Sequence, residues 1–181
     1  MTKPVEVVNV VVEGADLEAD GQPMPEDPVL ASLAEQFPGT IFEIAAGHDI
    51  ARIGPDRVVA FVEAARTAGF DMFLDLCAVD HLRRRPLRYE VVINVVDPLR
   101  PARLLIKVAL PGPDPVMPSV TGVFPGANFY EREAFDLMGV VFTDHPDLNR
   151  ILLPEEWEGH PLRKDAAVGS VPVQFKEPDA R

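Results

Sequence analysis

An α+β fold is expected here: a largely antiparallel sheet with helices packed on one side, followed by a long irregular C-terminal docking arm. Three observations point to it. Met72–Val79, Tyr89–Val96 and Arg103–Leu110 are successive strand-like runs joined by connections too short for a crossover helix, so neighbours run antiparallel. Two amphipathic helical stretches precede these strands instead of alternating with them, which separates the layout from parallel α/β units. Beyond residue 124 the apolar segments become short and are broken repeatedly by proline and glycine.

In chain order, the valine-rich Val5–Val12 reads as a strand, and Gly14–Glu26 as an acidic, proline-containing linker. Asp27 caps a helix with Pro28 at its first position, and Leu30, Leu33, Ala34 and Phe37 form its core-facing stripe before Gly39 ends it. Thr40–Ala46 and Ile50–Ile53 flank Gly47-His48-Asp49 as a β-hairpin. A second helix from Asp56 to Ala68 buries Val58, Phe61, Val62 and Ala65 and closes at Gly69. In the second long strand Tyr89, Val91, Ile93 and Val95 share a buried face, with Glu90 and Asn94 on the other. The loop Pro111–Pro118 ends the sheet. The expected organisation is an N-terminal segment (1–26), an α+β head (27–123), a motif with its arm (124–168) and a tail (169–181).

A chain of 181 residues, 47% hydrophobic and 25% charged, suits one domain with a real core. Its formal charge of −12 and pI near 4.7 argue against nucleic-acid or anionic-membrane partners, so protein partners presenting basic surface are expected. No uncharged apolar run approaches the roughly 20 residues that span a bilayer. The first residues carry acids where a secretory signal carries an apolar core, so a cytoplasmic chain with no direct membrane insertion is expected.

Few features carry chemistry. There is no glycine-rich dinucleotide loop after a strand and no GxxxxGK phosphate loop. The single cysteine, Cys77, cannot supply the four thiolates of an iron–sulfur cluster and reads as a small core hydrophobe. His145 and His160, with Asp144, Asp147 and Glu158 nearby, match no helix-borne metal-ligand pair. Asp80-His81 is either a strand-end turn or an acid–base pair. Arg83-Arg84-Arg85 with Arg88 is a basic cluster in an acidic chain. It is either a solvated hairpin turn or a set of guanidiniums pairing with carboxylates of a neighbouring subunit.

The most informative stretch runs from Phe124 to Asp165. Asn128 and Glu131 have the spacing of a capping box, so a helix is expected from there to Met138, closed by Gly139. Inside it lie Glu131, Arg132, Glu133 and Asp136. Arg132 and Asp136 are one turn apart and placed for a surface ion pair, while Glu133 points elsewhere; the run also fits a plainly solvated helix face. Val140–Phe142 reads as a short strand, Asp144-His145-Pro146 as a turn, Leu148 with Ile151–Leu153 as a second apolar anchor, Pro154–Trp157 as a single turn, and Gly159-His160-Pro161 as a further break.

Glu131-Arg132-Glu133, Asp136, His145-Pro146 and Gly159-His160-Pro161-Leu162-Arg163-Lys164-Asp165 together resemble the C subunit of the proton-pumping NADH:quinone oxidoreductase, respiratory complex I. Three positions depart from the family pattern: Asp144 replaces a usual glycine, Asn149 a basic residue, and Ala166 an aromatic. The resemblance implies a structural component of the hydrophilic arm that binds no cofactor itself and is not catalytic alone, while NADH, FMN, iron–sulfur clusters and quinone belong to the assembled complex. It implies docking on the D subunit near the quinone pocket, peripheral on the cytoplasmic side of the membrane. Glu131, Arg132, Glu133, Asp136 and His145 are then expected to order the start of the arm. Arg150 and the stretch from Trp157 through His160, Arg163, Lys164 and Asp165 are expected at the interface. Phe129, Tyr130 and Trp157, with the arginines, give this region the composition of interface hot spots. Two alternatives stay open: the equivalent small component of a membrane-bound [NiFe] hydrogenase or deazaflavin-dependent dehydrogenase, and a free-standing enzyme using His145 or His160.

Overall fold

The computed structural model describes residues 25–166, so the expected strand Val5–Val12, nearly all of the linker and the tail from Gly169 lie outside the described residues. The Asp27 side chain accepts the Val29 N–H at 2.7 Å and Pro28 fills the first position of α1, Pro28–Gln36. Leu30 and Leu33 are buried, and Ala34 and Phe37 pack against the margin of the core. The hairpin that follows, β1 (Ile41–Ala45) and β2 (His48–Arg52), turns at Ala46-Gly47, not at Gly47-His48-Asp49. Both turn residues have positive φ, 52° and 77°, the geometry whose twist matches the flanking strands. His48 and Asp49 are thereby released into β2. A 3₁₀ turn, Pro55–Arg57, occupies the expected start of the second helix and leads into α2, Val58–Thr67, which buries Val58, Phe61, Val62 and Ala65.

The three long strands form as expected: β3 (Met72–Asp80), β4 (Tyr89–Asp97) and β5 (Ala102–Leu110). The sheet order is β1-β2-β5-β4-β3, antiparallel except where β2 lies parallel to β5. Tyr89, Val91, Ile93 and Val95 stand opposite Leu110, Val108, Ile106 and Leu104, and all eight are fully buried on the face that carries the core. Two readings of the other face need correction. Glu90 is buried, because the side chains of Arg52 (2.6 Å), Arg85 (2.7 Å), His81 (3.6 Å) and Lys107 (3.8 Å) close over its carboxylate. Cys77 is exposed: it pairs with Val92 on this second face, while Leu76 takes the buried position.

The loop after β5 is not wholly irregular. It contains β6, Val116–Pro118, which pairs in parallel with β7, Val141–Thr143. Between them lies α3, Ala127–Met138, packed along β3. From Asp144 to Ala166 the chain has no helix or strand.

Candidate functional site at the root of the arm

The carboxylates of α3 are tertiary connectors. The expected capping box does not form: Gly126 is the N-cap, with no side-chain cap bond, and Asn128 lies inside the first turn. Glu131 turns inward and is completely buried. Its Oε1 accepts the Val120 N–H at 2.8 Å, eleven residues back along the chain, and its Oε2 lies 4.0 Å from Nε2 of His145, whose side chain is fully buried. That imidazole nitrogen is 3.3 Å from the Asn128 carbonyl oxygen. Burial pushes the Glu131 pKa up to about 7, against the lowering pull of the Ser119 hydroxyl and the Val120 N–H.

Asp136 likewise does not pair with Arg132 on the helix surface. It is fully buried, with Oδ1 2.6 Å from Nη1 of Arg150, while Oδ2 accepts the N–H groups of Ile151 (3.0 Å), Leu152 (2.8 Å) and Leu153 (2.9 Å). Desolvation raises its pKa, but those three N–H groups and the guanidinium outweigh it and hold the carboxyl at about 2. A surface pair at this spacing contributes only a few tenths of a kcal/mol, so four donors converging on one buried acid easily win. Arg132 instead donates to the carbonyls of Asn149 (3.1 Å) and Arg150 (3.2 Å). Arg150 reaches onward to the Trp157 carbonyl at 2.9 Å.

A helix leaves its last carbonyls unsatisfied, and here the arm supplies their donors. Gly139 closes α3 at φ 74°. Beyond that cap, Nδ1 of His160 lies 2.9 Å from the Asp136 carbonyl, the Leu162 N–H donates to Leu137 at 3.1 Å, and Nε of Arg163 donates to Met138 at 2.7 Å. Burial lowers the His160 pKa, which favours a neutral ring there. His145 and His160 therefore serve separate contacts, one beside Glu131 and one at the helix C-terminus.

The far end is clasped by Asp80, which the sequence presents only as half of an acid–base pair or as part of a turn. Its fully buried side chain accepts Arg88 at 2.8 and 3.0 Å, the Lys164 N–H at 2.9 Å and the Leu82 N–H at 2.7 Å. Arg88 above all, with those N–H groups, holds this carboxyl well below the usual range. Arg88 also binds Asp165 at 2.7 and 2.8 Å. Arg85 and Arg88 thus find their carboxylates within the chain, whereas Arg83 and Arg84 are exposed on the turn. Asp80, Arg88 and the Val120 N–H were not legible as parts of this site. Their only signal was an acid and an arginine facing each other across the β3–β4 turn.

The remaining site residues divide by exposure. Glu133 and Lys164 point to solvent and Trp157 is half-buried. Ile151 (37% exposed), Leu152 (61%) and Leu162 (54%) face outward, so Ile151 and Leu152 do not anchor the arm as expected; their backbone N–H groups do. Asp144, standing where the resembled family has glycine, adopts φ 61°, a left-handed conformation aspartate tolerates better than most residues.

Fold and site together define an α+β head whose third helix ties down an irregular segment through its main chain. The chain belongs to the family described as respiratory-chain NADH dehydrogenase, 30 Kd subunit, which matches residues 51–171. It is 44% identical over 152 residues to the NADH-quinone oxidoreductase C subunit of Roseiflexus sp. (strain RS-1), covering 81% of this chain and 87% of that one. A solved chain described as Nqo5, trypsin-resistant fragment 1-134, superposes with a TM-score of 0.59 at 31% identity, over 66% of this chain and 96% of the other. A chain of the membrane-bound sulfane sulfur reductase, an archaeal respiratory membrane complex, shares the fold with a TM-score of 0.69 at 20% identity, over 84% and 96%. The family is that of a complex I component, and the activity associated with it is NADH–quinone oxidoreduction by the respiratory complex. No helix among the described residues is long and apolar enough to cross a membrane.

Proposed function

We propose that this chain is a non-catalytic docking component in the hydrophilic arm of NADH:quinone oxidoreductase. It seats residues 144–166 on the D subunit near the quinone pocket, peripheral on the cytoplasmic side of the membrane. The observation that carries the reading is an irregular segment whose backbone is pinned from below while Ile151, Leu152 and Leu162 are presented outward. Pinning removes conformational freedom before association, so less of the binding energy goes into ordering the segment. The chain carries no cofactor of its own on this reading, which its single cysteine supports, and contributes position to electron transfer from NADH to quinone.

Native mass spectrometry of the complex that co-purifies with a tagged copy from solubilised membranes tests this. The expected result is recovery of the D subunit together with flavin and iron–sulfur proteins that oxidise NADH. A nickel-containing partner moves the chain to the hydrogenase relatives, and a lone chain removes the docking account. Arg132→Ala then tests the clasp: it should lower assembled complex more than it lowers the melting temperature of the isolated chain. Equal losses reduce Arg132 to a fold residue.

A further inference from the structure

Over β3, β4 and β5 the second face of the sheet is written for burial that the described residues do not supply, whereas on β1 and β2 the same face is already covered at Ile41 and Ile50. Antiparallel sheets with one wet face alternate apolar and polar side chains, whereas strands covered on both sides read as nearly continuous apolar runs. β4 reads Tyr-Glu-Val-Val-Ile-Asn-Val-Val-Asp and β5 Ala-Arg-Leu-Leu-Ile-Lys-Val-Ala-Leu, so Val92, Val96, Leu105 and Ala109 join the core-facing residues in the apolar count. Those four point away from the core and are half-exposed, and Cys77 and Met72 beside them on β3 are exposed. None of these six side chains is buried.

Charge identifies the kind of cover. The chain carries a net −12, yet this face gathers cations. Arg52 and Lys107 flank the buried Glu90, Arg85 reaches it from the turn, and Arg103 stands exposed opposite Val96 at the other end of β4. The facing acids are Glu43, Glu90 and Asp75, with Glu133 of α3 close to Cys77, so it is the exposed Arg83 and Arg84 at the β3–β4 turn that make the patch positive. From Glu90 to Val96 the strand rises about 20 Å, enough for a protein footprint with an apolar floor and arginines at both ends.

We infer that this open sheet face is a second docking surface, separate from the arm, that takes an acidic protein surface of another member of the same complex. It rests on the docking reading above. Arginine suits this role because its planar fork pairs with carboxylates bidentately and is weakly hydrated. The overall acidity of the chain points to basic partners elsewhere; this face inverts that sign.

Arg83→Lys, Arg84→Lys and Arg103→Lys together place amines on the face. The purified complex carrying them is treated with a carbodiimide, which joins an amine to a carboxylate in contact with it. Peptides linked from these positions to Asp or Glu of another protein of the complex are expected. Links only to acids of this chain, residues 1–24 included, overturn the inference, as does a complex with no links from these positions. The reversed variant Arg83→Glu, Arg84→Glu, Arg103→Glu should fall about tenfold in the complex, because like charges at an interface are strongly disfavoured. Its isolated melting temperature should stay within about 2 °C of wild type, as for surface substitutions generally. Equal retention of both chains withdraws this surface and leaves the arm reading intact. Absence of the wild-type chain from the complex removes both.

Discussion

Glu131 and Asp136 sit five residues apart on one helix, both without solvent contact, and their surroundings drive their acidities in opposite directions. The Glu131 pKa is higher folded than unfolded, so the folded chain holds the proton more tightly and stability declines as pH rises from about 4.5 to about 7. Glu131→Gln keeps a carbonyl for the Val120 N–H and removes that decline. Urea midpoints measured across this window should show the variant gaining on wild type, and a constant difference would remove the assignment. Asp136 has its pKa depressed, so its contribution is present above the ordinary carboxylate range and is lost as pH falls from about 4 through about 2. Asp136→Asn leaves Arg150 without its anion and should cost about 3 kcal/mol by chemical denaturation at pH 7. Asp144→Gly runs the other way: at φ 61° the aspartate is strained, and glycine should gain up to about 1 kcal/mol.

At the level of elements, the end of α3 is where helix and arm become one unit. Gly139 is left-handed at φ 74°, and any Cβ there would overlap the Arg163 guanidinium and the His160 ring. Gly47 is left-handed too, at φ 77°, but has open space around it. Alanine at either position carries the backbone cost of roughly 1–2 kcal/mol. Only Gly139→Ala should also free the arm, read as faster tryptic cleavage after Arg150 and Arg163 in the folded chain, with Gly47→Ala as the matched control. Cleavage equal in the two variants would mean that the helix end does not hold the arm.

Over the whole molecule, the arm is fastened at two places far apart in sequence, at Asp136 on α3 and at Asp80 on the β3 end. Both carboxyls are held below the ordinary carboxylate range, so acid should release the arm before it unfolds the sheet. Hydrogen exchange in steps from pH 5 to 2.5 should show protection at Ile151–Leu153 and Lys164 fading while β4 and β5 stay protected, a pattern of local opening. Simultaneous loss would show that arm and head unfold as one unit.

The helices and long strands were readable in the chain itself because each is a local pattern: the Asp27-Pro28 start, the Val58, Phe61, Val62, Ala65 stripe, the apolar runs of β4 and β5, and the glycine that ends α3. So was the motif between Glu131 and Asp165, whose residue types and spacing marked out the family. Local spacing misled where a side chain found something better at long range. Glu131 left its expected cap for Val120, Asp136 left Arg132 for the arm, and Arg88 turned from the expected neighbour to Asp80 and Asp165. The parallel pairings of β2 with β5 and of β6 with β7 likewise join segments distant in sequence. The physical reason is the same in each case. A surface pair on a helix contributes a few tenths of a kcal/mol in water, whereas an acid removed from water must gather every donor within reach, and only the folded chain determines which donors those are.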